Sequence, residues 1–216
     1  MKAIEWINRK YDINEEHDAK IELEFELDKT KKLTVIAGGS GTGKTTLLRN
    51  WFNIEDVTFN ISDDKSIFEH LVKEDTDEEF TRVSKLLFDV GLASVPVWKS
   101  PYSKISNGEK LRFEIAYKLN SDEDIIFIDE FTSMLDRQTA KNLCNNLNNL
   151  QEQYDKQIVL ATAHFDILDW LKVDQVVDTN VKKHLVLPEQ EVLTLTKWRL
   201  DVLNNSGGTY LATITI

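Results

Sequence analysis

The sequence predicts an α/β fold with a mainly parallel sheet flanked by helices. Three observations carry that reading. Short apolar runs of strand length, at 33–37, 125–128 and 158–163, alternate with segments of helical period. Such runs suit strands buried on both faces, and joining them in parallel needs helical crossovers. The first run enters a glycine-rich loop and the second ends in two carboxylates, so chemistry gathers at the strands' carboxyl ends.

The elements follow in chain order. Ile21, Leu23, Phe25 and Leu27 alternate with Glu22, Glu24 and Glu26, the period of a half-exposed strand. Residues 28–32 form a polar turn before the buried strand at 33–37. Residues 45–52 read as a helix and 57–61 as a short strand. Ile67, Phe68, Leu71 and Val72 share one helical face; Phe80, Val83, Leu86, Leu87 and Val90 share another, which Gly91 stops. Pro96 and Pro101 bracket an irregular stretch. Ser106 opens a helix reaching about residue 119, residues 125–128 form a strand, and a helix runs from 136 to about 154. Strands follow at 158–163 and, more weakly, at Val176 and Val177. From 181 the chain changes character: 192–196 and 209–216 are β-prone and flank Asn204-Asn205-Ser206-Gly207-Gly208, which predicts two strands. The organisation expected is one domain over 1–180, a helical subdomain at about 62–122, and a C-terminal β extension of the same domain at 181–216.

Composition narrows the function. Among 216 residues, 26 Lys and Arg stand against 37 Asp and Glu, a formal charge of −11. That disfavours nucleic acid and anionic membranes as partners, because both are gripped by clustered positive charge. No apolar run has the length to span a bilayer, so no membrane insertion is expected. Glu5 interrupts the N-terminus before an apolar core could form, which argues against a signal peptide. The single cysteine, Cys144, reads as a small buried apolar residue on a helix. The compartment expected is the cytoplasm.

Gly38-Gly39-Ser40-Gly41-Thr42-Gly43-Lys44-Thr45 matches G-x-x-x-x-G-K-[ST] between a strand and a helix. Glycines let the backbone turn tightly and aim N–H groups at phosphate oxygens, and the helix start adds positive potential. Lys44 should reach the β- and γ-phosphates, Thr45 should ligate Mg²⁺, and Thr46 joins the phosphate-binding set. Asp129 ends the strand 125–128 beside that loop and should face the same Mg²⁺. Glu130, one residue on, is placed to orient and deprotonate an attacking water.

Ile105-Ser106-Asn107-Gly108-Glu109 precedes the acidic strand, and a Ser-x-Gly helix start suits an anion. Here the sequence resembles the ABC-type ATPases, whose signature reads LSGGQ. The resemblance implies a P-loop fold of ABC type with an antiparallel β part and a reduced helical subdomain. It also implies that Ser106 and Gly108 bind the γ-phosphate of an ATP held by a second copy, with Asn107 and Glu109 in the same nucleotide-binding set. Ser133-Met134-Leu135-Asp136 looks like the loop that touches the partner, and Thr162-Ala163-His164 looks like the histidine switch that contacts γ-phosphate. The implied activity is ATP hydrolysis with Mg²⁺ in an ATP-dependent, head-to-tail homodimer; Lys44, Glu130 and His164 are its catalytic set.

A narrower resemblance rests on Pro101-Tyr102, Asp129-Glu130-Phe131-Thr132-Ser133, Asp136-Arg137, His164-Phe165-Asp166-Ile167 and Trp170-Leu171. These look like the ABC-type ATPase fused to a predicted acetyltransferase domain in bacteria and phages. Too few residues follow position 180 for that domain, so a stand-alone ATPase relative is expected, acting on a protein partner that the sequence does not name. Transport subunits carry a glutamine between the phosphate loop and the signature. No Gln lies between Thr45 and Ser106 in this chain. Ser62 or Asp63 could take its place. The adenine should stack on Tyr11, with Trp6 and Phe25 as rivals. Two other readings stay open: a transporter's nucleotide-binding subunit, and a non-hydrolysing ATP-gated module.

Overall fold

The structure is a computed structural model. It describes residue 10 and residues 28–52, 59–180 and 183–186. The expected strand at 21–27, the aromatics Trp6, Tyr11 and Phe25, and the β-prone tail beyond 186 lie outside the described residues.

Five strands form the described sheet: β1 (Leu33–Ala37), β2 (Ile125–Ile128), β3 (Gln157–Thr162), β4 (Gln175–Asp178) and β5 (Lys183–Val186), in the order β2-β3-β1-β4-β5. The first four run parallel; β5 pairs antiparallel with β4 and supplies an antiparallel part. Register aligns the strand ends, with Ala37 opposite Thr162 on one side and Asp178 on the other. β3 therefore lies between the strand that feeds the phosphate loop and the strand that feeds the acids.

The helices are α1 (Lys44–Phe52), α2 (Asp77–Asp89), the short α3 (Val95–Trp98), α4 (Asn107–Asn120) and α5 (Arg137–Gln153). Strands β1, β3 and β4 are buried on both faces, as their apolar runs require. Leu33, Val35, Ile158 and Leu160 join the larger core with Phe113 and Ile115 of α4 and Leu143, Cys144 and Leu147 of α5. Ile36, Val159 and Ala161 turn the other way, onto Leu47 and Leu48 of α1. The alternation follows from the two-residue period of a strand. Cys144 is fully buried, and burial pushes its thiol up to about 12.

Helix ends were legible in the sequence. Thr76 caps α2 by accepting from the Glu79 N–H, and Asp77, Glu78 and Glu79 occupy its positive first turn. Gly91, at φ 82°, ends it: Leu92 N–H donates to the Leu87 carbonyl at 2.8 Å and Gly91 N–H to that of Phe88 at 2.9 Å.

Two expectations fail between α1 and α2. Phe59 and Ile61 are not in a strand. The half-buried Phe59 ring packs edge-on against Tyr102, Phe113 and Tyr117, so rings cover it where a strand partner was expected. Residues 67–71 make a turn and not a helix. Ile67 N–H and Phe68 N–H donate to the carbonyls of Ser100 and Trp98, across to the segment before α4, instead of along their own axis. Ile67 and Leu71 are nonetheless fully buried.

Candidate functional site

The loop at residues 38–43 turns from β1 into α1 with Gly41 at φ 76° and Gly43 at φ 92°, a region where side chains are disfavoured. Gly38 meets a different demand. A Cβ there would lie 1.9 Å from Thr179 Oγ1, so only glycine lets the loop close on the residues after β4. Thr42 Oγ1 and Thr179 Oγ1 share a 2.5 Å hydrogen bond, and Gly39 N–H donates to Asn180 Oδ1 at 2.9 Å. Neither Thr179 nor Asn180 was singled out by the sequence; no motif flags them, and only the β1–β4 pairing brings them here.

Lys44 is buried, with its ammonium donating to the carbonyls of Gly38 at 2.9 Å and Gly39 at 2.8 Å. A buried cation whose described partners are neutral carbonyls calls for an anion. Curled over the loop, it stands where phosphate oxygens would be cradled. Thr45 Oγ1 donates to Asp129 Oδ2 at 2.7 Å, which joins the helix start to the end of β2. Ser40 is exposed and Thr46 half-buried on α1.

Thr45 and Asp129 together offer a hydroxyl and a carboxylate, both hard oxygen donors. Among the described residues no group of three or more His, Cys, Asp or Glu could hold a metal. That donor set fits Mg²⁺, which binds through one or two protein oxygens and keeps water or phosphate for the rest.

After Asp129 the chain makes an unusual turn. Glu130 has φ 51° and Thr132 has φ 66°, left-handed conformations without glycine; for β-branched, fully buried Thr132 this is a clear outlier. The turn is pinned to β3. Phe131 N–H donates to the Ala161 carbonyl at 2.8 Å, the Phe131 carbonyl accepts from Thr162 Oγ1 at 2.9 Å, and the Phe131 ring is fully buried. Glu130 N–H donates to Asp129 Oδ1 at 2.8 Å, and the Glu130 residue itself is exposed. The strained turn thus holds one acid against Thr45 and presents the next to solvent.

His164 follows β3. Its Nδ1 lies 3.2 Å from Thr132 Oγ1 and 3.2 Å from Arg137 Nη1, and its N–H donates to Thr162 Oγ1 at 3.0 Å. Thr162 also accepts the Gly38 N–H at its carbonyl, 3.1 Å. The phosphate loop, the acid turn and His164 therefore all bond to one residue. Thr162 was read in the sequence only as part of the strand before His164.

Ser106, Asn107, Gly108 and Glu109 stand at the start of α4. Ser106 Oγ accepts the Glu109 N–H, and Glu109 Oε2 accepts from Ser106 N–H at 2.8 Å and from its hydroxyl at 2.7 Å, a capping box. A Cβ on Gly108 would lie 3.1 Å from Leu135 Cδ2, a close approach that the leucine side chain would have to relieve. No hydrogen bond or ion pair among the described residues joins this group to residues 38–45. Asp136 caps α5 by accepting from Thr139 N–H at 2.9 Å, and the Thr139 hydrogen bond lowers its carboxyl below the usual range. Asp63 accepts from Ser103 N–H at 2.8 Å, and that contact with Ser103 also lowers its carboxyl. Ser62 hydrogen-bonds Asp64. Both candidates for the missing glutamine are thus tied to their own region.

A phosphate loop and an acid-bearing strand separated by one parallel strand, with a Ser-capped helix ahead of the acids, are the arrangement of the P-loop fold in its ABC-cassette form. The chain belongs to the ATPase family associated with various cellular activities (AAA), whose model matches residues 34–177, the span from β1 into β4. Among curated proteins it is similar to the methionine import ATP-binding protein MetN 2 of Staphylococcus epidermidis, 28% identical over 169 residues, covering 62% of this chain and 50% of that one. It is also similar to the energy-coupling factor transporter ATP-binding protein EcfA2 of Mesomycoplasma hyopneumoniae, 42% identical over 84 residues, covering 38% of this chain and 27% of that one. The chain spans about half the length, or less, of these two relatives. Two solved structures share the fold. The dimeric structure of a bacterial ABC transporter cassette has a TM-score of 0.57 at 18% identity, covering 76% of this chain and 86% of that one. CbiO1 of Clostridium perfringens, part of an ABC transporter complex, has a TM-score of 0.53 at 21% identity, covering 68% and 72%. Among the described residues no helix is long and apolar enough to cross a membrane.

Proposed function

We propose that this ATPase is an ATP-driven conformational switch in the cytoplasm that closes head to tail with a second copy. The observation that carries the proposal is the 2.7 Å contact of Thr45 with Asp129, with exposed Glu130 held one residue beyond it. Backbone N–H groups of residues 38–46 and the Lys44 ammonium bind the β- and γ-phosphates. Thr45 and Asp129 would hold Mg²⁺, which neutralises developing charge on the phosphates when bound. Glu130 orients the attacking water and takes its proton; His164 donates to the γ-phosphate. Tyr11 stacks on the adenine.

Two observations support the second copy. Ser106, Asn107, Gly108 and Glu109 present a capped helix start, suited to an anion, that no described bond links to the chain's own phosphate loop. Exposed Met134 and Asp136 follow the acid turn beside them. Closure would bring Ser106 and Gly108 onto the partner's ATP and Asp136 against the partner, and hydrolysis would replace attraction with product repulsion.

Glu130→Gln tests this directly. It should keep ATP binding, lower turnover by on the order of a hundredfold or more, and trap a dimer on gel filtration with ATP and Mg²⁺. Normal hydrolysis, or a monomer under those conditions, would sink the mechanism.

The narrower likeness at residues 129–133 and 164–171 supports a switch that acts on a protein partner. A second reading, a transporter's nucleotide-binding subunit, is favoured by the transport names of MetN and EcfA2. Co-purification with a membrane protein would select the second; a soluble partner retained by the trapped Glu130→Gln dimer would select the first.

A further inference from the structure

Arg137 opens α5 directly after Asp136, and its guanidinium reaches across to the residues after β3. Nε donates to Asp166 Oδ2 at 2.7 Å and Nη2 to Asp166 Oδ1 at 2.5 Å. The guanidinium carbon lies 5.1 Å from the Trp170 ring centroid. Two nitrogens are thus fixed by a bidentate carboxylate and the plane is steadied by an aromatic ring, arrangements that suit arginine and that lysine cannot copy. The third nitrogen, Nη1, stands 3.2 Å from His164 Nδ1.

We propose that Arg137 is a positioning residue that fixes His164 as the neutral tautomer carrying its proton on Nε2. The proposal rests on the reading of His164 as the γ-phosphate donor. The chemistry is one-sided. A guanidinium is always charged and has only donors, so a ring nitrogen in hydrogen-bond contact with it must be bare. Thr132 Oγ1, also 3.2 Å from Nδ1, is a hydroxyl that can turn its proton to the same lone pair and so accommodates this tautomer. An Nδ1–H would meet the guanidinium N–H head-on. The remaining proton of a neutral ring therefore sits on Nε2, the nitrogen able to donate to an oxyanion.

The Arg137–Asp166 pair is itself 40% and 37% exposed, a setting in which ion pairs contribute little to stability. Its consequence lies in orientation. It ties the start of α5, beside Asp136, to the histidine, so the segment expected to touch a partner and the ring expected to touch ATP share one guanidinium.

The test reads the tautomer directly, by nitrogen-15 NMR of the histidines in the full chain without nucleotide, with His164 assigned by the missing signals of His164→Asn. The wild type should show His164 with a bare Nδ1 and a protonated Nε2. Arg137→Ala should mix the tautomers and lower kcat about tenfold while KM for ATP changes less than about twofold, the pattern of an interaction made in the transition state. Arg137→Lys should not restore either signal. A wild-type ring protonated on Nδ1, or an unchanged ring in Arg137→Ala, would overturn the proposal. If the wild type shows the stated tautomer but His164→Ala hydrolyses ATP normally, the γ-phosphate reading fails while the Arg137–His164 assignment stands.

Discussion

Strand β1 has no exposed residue, whereas the helical half, between 59 and 122, leaves Phe88 49% and Val95 47% exposed. The two halves exclude water by different means. The sheet half is fixed by backbone ladders on both sides of β1 and β3, and the site residues continue them: Gly38 onto Thr162, Phe131 onto Ala161, Thr179 onto Ala37. The helical half has side-chain packing in place of ladders, with aliphatic Val83, Leu86, Leu87 and Val90 at its centre and rings around them. Phe59, Tyr102, Phe113 and Tyr117 form one cluster, and Phe68 stacks on Trp98 at 5.8 Å with Phe88 edge-on to Trp98 at 5.1 Å. Trp98 Nε1 donates to the Leu92 carbonyl at 2.7 Å. Ladders set atom positions to a fraction of an ångström, while ring contacts accept a range of angles and distances. The half that must hold Lys44, Thr45, Asp129 and Glu130 in register is the ladder-built one.

The strongest way to break this contrast is to remove the side chain that pins the acid turn. Phe131→Ala should cost about 3–5 kcal/mol, read by urea denaturation, and should reduce turnover further than the lost stability accounts for. A full loss of stability with turnover per folded molecule intact would mean that β3, without the ring, suffices to hold the turn. Next in size is Gly38→Ala, about 1–3 kcal/mol, because the added methyl overlaps Thr179 Oγ1. Adding Thr179→Ala should return part of the thermal midpoint and of the ATP affinity; no recovery would locate the clash elsewhere. Smallest is Ser106→Ala in the helical half. Losing the cap should lower stability by about 1 kcal/mol and leave ATP affinity of the single chain unchanged, measured by calorimetry. A large fall in that affinity would place Ser106 at its own chain's nucleotide and erase the distinction between the halves.

The same contrast explains what could be read from the sequence. Residues 33–37, 125–128 and 157–162 were legible because burial on both faces leaves an unbroken apolar run, and Gly41, Gly43, Lys44 and Thr45 because backbone geometry restricts which residues fit. The helix starts at Ser106 and Asp136 were legible for a like reason: a short polar side chain must bond the helix's free N–H groups. Residues 59–61 and 67–71 misled because apolar periodicity records burial, and rings from distant residues bury as well as strands and helices do. Thr179, Asn180 and the guanidinium of Arg137 reach the site through sheet order and a long side chain, and no local pattern encodes either.

The strand order has one further effect. Because β3 separates the strand of the phosphate loop from the strand of the acids, the two motifs never meet through the ladder. Besides the Thr45–Asp129 contact they meet at Thr162, whose carbonyl takes the Gly38 N–H and whose hydroxyl serves both the Phe131 carbonyl and the His164 backbone N–H. A side chain so placed acts as a fulcrum. The phosphate loop, the acid turn and the backbone at His164 share one mechanical coordinate, so a shift of any one is carried to the other two.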